Sequence, residues 1–410
     1  MKTSLAIVCA VVLGVPLATV LGCSDNPTSD SGPDIVHISS DTPVAMAPQQ
    51  NAEDKPSARL LSFFPEFFPD DVPHSIPLNE IFHGGPPKDG IPALTDPRTI
   101  AAAAADYLQD TDTVLGMSIN GESRAYPLRI MNWHEIVNDT LGGRRILVTF
   151  CPLCGTGIAF DPVIDGTRIE FGVSGMLHNN DLLMYDRGTD TPSLWQQALG
   201  EAVVGPKTGT LLDLLPVVQT TWGDWKNAHP DTTVLSTATG FNRNYNFDPY
   251  AGYDETGNLL FPLFGEEDGR LSRKTRVLGV RMGDTSKAYV LEELRAAEVV
   301  NDTVAGTPIV LIANPASDSV RVYERLDRQF TGSHNRVVDA ERQDVWQVTE
   351  ETLTNEKTGE SLERVSDAFI SFWFAWFSFY PDTLVFDGPV AVKPDERQLT
   401  TWGDLKQDQR

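Results

Sequence analysis

The chain states a large part of its fold twice, and that repetition constrains it more than any other feature. Val114-Leu115-Gly116 returns as Val277-Leu278-Gly279; at the same offset of 163 residues Ala125-Tyr126 returns as Ala288-Tyr289, Glu135 as Glu298, and Val137-Asn138-Asp139-Thr140 as Val300-Asn301-Asp302-Thr303. Farther on, Trp195-Gln196 matches Trp346-Gln347, Lys207-Thr208-Gly209 matches Lys357-Thr358-Gly359, Trp222 and Trp225 match Trp373 and Trp376, and Pro230-Asp231-Thr232 matches Pro381-Asp382-Thr383. There the offset has fallen to 151, so the first copy is longer by 12 residues. A period this long is not that of a solenoid, so each copy is expected to be a domain and the two to pack as a pseudo-symmetric pair.

The ends of the chain set the outer boundaries. Residues 1–22 read as an export signal, with Lys2 ahead of a nearly all-apolar run and Val20-Leu21-Gly22-Cys23 in the form of a lipoprotein cleavage box. Cys23 is then the lipidated residue that anchors the chain to the cell envelope on its extracytoplasmic side. An uncleaved membrane span is the rival reading, since about 18 apolar residues is near the lower limit for crossing a bilayer. Residues 23–58, rich in Ser, Asp, Pro, Ala and Asn, read as a flexible tether, and 59–95 as an N-terminal extension. The first repeat domain is assigned to 96–245, the degenerate second to 246–395 and a tail to 396–410.

A net charge of −25 argues against nucleic acid, which needs concentrated Lys and Arg on one face. The ~350 residues outside the signal and tether are enough to bury cores for about two domains. Within a copy, Pro97–Tyr107 is predicted helical from its alanines, Thr113–Ile119 and Ser123–Tyr126 form a hairpin turned by Asn120-Gly121, and a short helix covers Leu128–Val137. Arg145–Phe150 and Thr156–Phe160 are predicted strands, as are Thr210–Leu212 and Val217–Thr220; Trp222–Ala228 is a helix opened by Thr221 or Asp224. Asn242–Gly269 reads as an irregular connection. The fold class is α+β, mostly antiparallel sheet with flanking helices, and the repeated tryptophans are assigned to the core.

The chemistry centres on Cys151-Pro152-Leu153-Cys154-Gly155. With Cys9 in the signal and Cys23 lipidated, Cys151 and Cys154 are the thiols left in the mature chain. Aligning the copies puts Cys151 on Asn314, Cys154 on Ser317 and His134 on Ala297, so three potential ligands vanish together while the shared framework persists. Glu135 and Asn138-Asp139, kept in both copies, are assigned to a capped helix end and a turn.

A C-P-x-C-G turn between strands has the form of a metal knuckle, in which two thiolates face one side and glycine lets the backbone turn. His134 is the first companion ligand and His178 the second. His178 lies between Phe171 and Trp195, an interval eight residues longer than its match from Phe330 to Trp346. Zinc is the expected ion, with copper if Met176 and Met184 take part. Glu135, Ser174, Asp186 and Arg187 are weaker catalytic candidates, and Ser174 lacks a nucleophile-elbow setting. Two other readings stay open: a structural Cys151–Cys154 disulfide in a non-catalytic module that binds a small molecule or protein, and a thiol redox pair.

The stretches YPLRIMNWHEIVND, TFCPLCGTGIAFDP, FGVSGMLHNNDLLMYDR and LWQQALGEAVVGP resemble the signature blocks of the domain-of-unknown-function 3179 family over about residues 91–387. That resemblance implies exported proteins, often lipoproteins, with the cysteine pair, the His134-Glu135 pair, Ser174-Gly175 and Tyr185-Asp186-Arg187. It implies no established activity.

Overall fold

A computed structural model describes residues 54–388 of the chain. The export signal, Cys23, most of the tether and the C-terminal tail lie outside the described residues. Among those described, no helix is long and apolar enough to cross a membrane.

Antiparallel and mixed sheets dominate, with short helices between them, in keeping with the α+β expectation. The apolar alternation of Val114, Leu115 and Met117 and the Asn120-Gly121 turn make the hairpin Thr113–Ile119/Glu122–Pro127, as the sequence predicts. A seven-residue helix, Leu128–His134, follows. It stops three residues before the predicted end because Glu135 turns left-handed (φ 56°) and Ile136 starts a strand. Asn138 and Asp139 therefore sit in that strand, Ile136–Leu141, not in a turn.

Arg144–Cys151 and Thr156–Asp161 form the next hairpin, with CPLCG as its tip. They are central in a five-stranded sheet flanked by Asp213–Leu215 and by Ile136–Leu141 with Leu94–Thr95. The strand predicted at Thr210–Leu212 is thus displaced to Asp213–Leu215. A second sheet is built on the long hairpin Phe171–His178/Asp181–Asp186, whose register shifts between Val173 and Met176. The predicted Pro97–Tyr107 helix does not form. Thr99–Ala101 is a strand paired with Thr233–Leu235, and Ala102–Ala104 makes a single 3-10 turn, so sheet pairing overrides alanine's helical preference. Trp222–Ala228 is helical as expected, with Thr221 Oγ1 accepting from the Asp224 amide at 3.3 Å.

The second half runs through the same succession: Arg276–Met282, Thr285–Val290, the helix Leu291–Ala297, Val299–Val304, Thr307–Ala313, and later the helix Trp373–Phe379. Side-chain contacts recur as well. Tyr126 donates to Asp139 and Tyr289 to Asp302. Asn138 bonds the backbone of Phe171 in both directions, as Asn301 does with Phe330. Phe171 meets Trp195 edge-on at 5.4 Å, as Phe330 meets Trp346. Gly116 and Gly279 are needed for close approach: a Cβ would lie 2.3 Å from the Trp225 ring in one case and 2.0 Å from the Trp376 ring in the other. All six repeated tryptophans are buried, as predicted.

Candidate metal centre

The two strands that flank CPLCG are buried along most of their length, so the tip is carried into the core. Cys151 is 2% exposed and Cys154 0%. The tip is a tight turn closed by the Cys154 amide donating to the Cys151 carbonyl at 3.2 Å, and Gly155 takes the positive φ that the turn demands. Both thiols are unbridged, and both point at the carbonyl of Asn180, at 3.6 and 3.4 Å.

Asn180 belongs to the tip of the long hairpin, and the next residue completes the site. A carboxylate oxygen of Asp181 and the two sulfurs all lie within 4.8 Å of one another. Asp181 is fully buried; its Oδ2 accepts from Gln196 Nε2 (2.6 Å) and the Ala198 amide (2.9 Å), while its Oδ1 is buried with no hydrogen-bond partner. Such an orphaned buried oxygen is costly unless a donor or a cation meets it.

Neither histidine expected from the sequence joins this cluster. Both His134 nitrogens are occupied, Nδ1 with the Pro92 carbonyl and Nε2 with the Tyr245 hydroxyl, each at 2.7 Å. Burial lowers the His134 pKa to about 4, so it is a neutral hydrogen-bonding core residue. His178 sits beside Gln196 (2.9 Å) and Glu80 (3.4 Å).

The weaker catalytic candidates separate. Ser174 donates to the Leu183 carbonyl (2.5 Å) and accepts from the Met176 amide (3.0 Å), which stabilises the register shift in the hairpin. Asp186 pairs with Lys207 and with the Ser193 amide, and Arg187 with Asp89 at 2.6 Å. Asp186 is five residues along a strand from Asp181, about 17 Å at the usual rise. Glu135 does approach the cysteines. It is buried, and its Oε1 accepts from the Tyr250 hydroxyl at 3.3 Å.

Burial governs the electrostatics, and hydrogen bonds from Ala198 and Gln196 to Asp181 and from Tyr250 to Glu135 hold part of its effect back. It pushes Asp181 up to about 6 and Glu135 up to about 8, with the charge of Asp181 adding to the shift of Glu135. Burial likewise raises Cys151, and raises Cys154 further, with Asp181 and the partner sulfur adding to it. Among the described residues no Lys or Arg forms an ion pair with Asp181 or Glu135. Four acids thus converge in a dry place without a protein cation. A raised thiol is also the opposite of the lowered thiolate that disulfide exchange requires.

The cover comes from two places the sequence did not single out. The irregular stretch after residue 242 lays Tyr250 and Tyr253 against the site, and the Asn179 and Asn180 side chains hold its Phe264 and Phe261 amides at 2.7 and 3.0 Å. From the second half, the Phe372 amide donates to the Cys154 carbonyl at 2.9 Å, and its ring lies over Gly155. The signal for Asp181 was present: it falls between Phe171 and Trp195, an interval eight residues longer than the one from Phe330 to Trp346.

A family model described as "Protein of unknown function (DUF3179)" matches residues 88–383. The chain belongs to this family. The match spans the hairpins, the CPLCG tip and most of the second half, in line with the resemblance seen in the sequence. Neither the curated proteins nor the solved structures give a match.

Proposed function

We propose that the first half of this DUF3179 protein binds a metal ion through Cys151, Cys154 and Asp181. The observation that carries the reading is the Asp181 Oδ1 atom, buried without a partner within a cluster that also holds two thiols. A divalent cation meets that oxygen, and it reverses the penalty that burial places on the thiolate forms. Two soft sulfurs with one hard carboxylate suit zinc. Met176 packs with Leu60, Phe64 and Phe67, whereas Met184 shares the buried cluster of Cys151 and Cys154 and keeps copper(I) as the second ion to test.

On the same reading the chain is a tandem duplication, its second copy having lost the site and kept the role of closing the first. The paired contacts of Tyr126 and Tyr289, Asn138 and Asn301, and Gly116 and Gly279 support it. We place the protein on the extracytoplasmic side of the membrane, lipid-anchored at Cys23, a placement that rests on the sequence of residues 1–23.

The test is elemental analysis of the chain purified under reducing conditions, with free-thiol titration before and after reductant. About one zinc per chain is expected, lost in Cys151→Ser and Cys154→Ser, reduced in Asp181→Asn, and kept in His134→Ala and His178→Ala. A metal-free protein whose thiols titrate only after reduction sinks the reading and leaves a disulfide-stiffened hairpin tip.

A further inference from the structure

Three protein ligands leave a tetrahedral metal one position short, and what lines that position decides whether the site is closed or reactive. Glu135 is the nearest further donor, yet it stays outside the 4.8 Å cluster, engaged instead with the Tyr250 hydroxyl. A second orphan belongs to Tyr253, which packs against the buried cluster that holds both cysteines. The Tyr253 hydroxyl is buried with no hydrogen-bond partner and is near enough to Cys151 and Cys154 to feel the charge of both sulfurs. Its backbone is fixed from behind, where Lys274 Nζ donates to the Tyr253 carbonyl and sits 3.2 Å from the ring centroid.

An orphaned acceptor on Asp181 and an orphaned donor on Tyr253, facing the same pair of thiols, are more than three ligands and a metal consume. The metal satisfies the carboxylate. It does nothing for the phenol, which needs an acceptor.

We infer that the fourth position of the Cys151–Cys154–Asp181 centre takes an exchangeable water, a neutral oxygen ligand that accepts from Tyr253. The inference rests on the metal reading above. Neutrality follows from charge: two thiolates and a carboxylate already exceed a divalent cation by one, so an anion entering here meets repulsion in a low-dielectric place. Three protein ligands plus water is the arrangement of metal centres that do chemistry, whereas structural zinc sites fill all four positions with side chains.

The test uses the full chain loaded with cobalt(II), whose visible bands and electron paramagnetic resonance report its ligands. At about one cobalt per chain, transfer into water enriched in oxygen-17 is expected to broaden the resonance, and Tyr253→Phe to keep the cobalt while shifting the bands. Azide is expected to bind at least about tenfold more weakly than to a cobalt site with one fewer anionic ligand, represented by Asp181→Asn loaded at saturating cobalt. Bound cobalt with no oxygen-17 broadening overturns the inference and leaves the metal reading standing. A band shift in Glu135→Gln would then mark Glu135 as the fourth ligand. Azide binding as tight to the native chain as to Asp181→Asn overturns the neutral-ligand argument. Failure to bind cobalt or zinc at all overturns both readings together.

Discussion

The turn at Cys151–Cys154 and the turn at Asn314–Ser317 share a backbone and differ in chemistry. In each, the fourth residue donates its amide to the first residue's carbonyl, at 3.2 Å for the cysteines and 3.3 Å for Asn314 and Ser317. Each also meets a carboxylate. At the second turn the match is complete: Asn314 Nδ2 donates to Asp224 Oδ1 (2.9 Å), while Ser317 (3.0 Å) and Thr220 (2.8 Å) donate to its Oδ2. At the first turn, Asp181 Oδ1 finds no donor. The fold therefore needs the turn and tolerates a carboxylate beside it, but it does not need sulfur there. Where sulfur stands, one oxygen of the carboxylate is left facing the thiols while Gln196 and the Ala198 amide hold the other.

The largest expected effect comes from making the two turns alike. Asn314→Cys combined with Ser317→Cys places two thiols beside Asp224, and bound zinc should rise from about one toward about two per chain by elemental analysis. An unchanged stoichiometry shows that turn and carboxylate do not suffice, and that the lengthened hairpin supplies something more.

Next in size is the response of the metal-free chain to pH. Glu135 and Asp181 hold protons more tightly in the folded chain, at about 8 and about 6, than their ordinary values of 4.5 and 3.8. The folded state thus carries more protons between pH about 4 and 8, so stability is greatest at the acid end and falls as pH rises through that window. Urea unfolding after chelation should lose about 2–5 kcal/mol between pH 5 and pH 9 from these groups, and Glu135→Gln should remove the larger share. A profile that is as steep in Glu135→Gln as in the parent contradicts this assignment.

Smaller effects ask whether the two halves are equivalent in their packing. Gly116→Ala and Gly279→Ala each drive a methyl into a buried tryptophan, and each should cost about 1–3 kcal/mol. Tolerance of one with loss from the other means that the halves differ in more than their turns. Trp225→Phe and Trp376→Phe remove the 2.9 Å bonds to Thr232 and Thr383. Each should cost about 1 kcal/mol beyond the change in packing, read as paired shifts in the urea midpoint.

How much of this was legible in the sequence depended on the range of the interaction. The Asn120-Gly121 hairpin, the strands around CPLCG and the Thr221 cap are local, and the residues that make them are adjacent in the chain. The alanine-rich stretch misled because its structure is set by Thr233–Leu235, more than a hundred residues away. The candidate site divided in the same manner. Its two cysteines were plain, since their spacing is the signal, whereas Asp181 comes from another sheet and Tyr250 and Tyr253 from a segment with no regular structure. His134 was the natural guess because it stands two strands' length before the cysteines and aligns with Ala297 as they align with Asn314 and Ser317, yet its nitrogens are taken by the Pro92 carbonyl and the Tyr245 hydroxyl.

The bond from the Phe372 amide to the Cys154 carbonyl also sets an order of events. The piece that covers the thiols is synthesised long after the thiols themselves, so for most of the chain's birth the pair stands uncovered. If the chain meets an oxidising compartment in that interval, the two thiols are open to disulfide formation, and the proposed metal would have to reach them before the second half covers them.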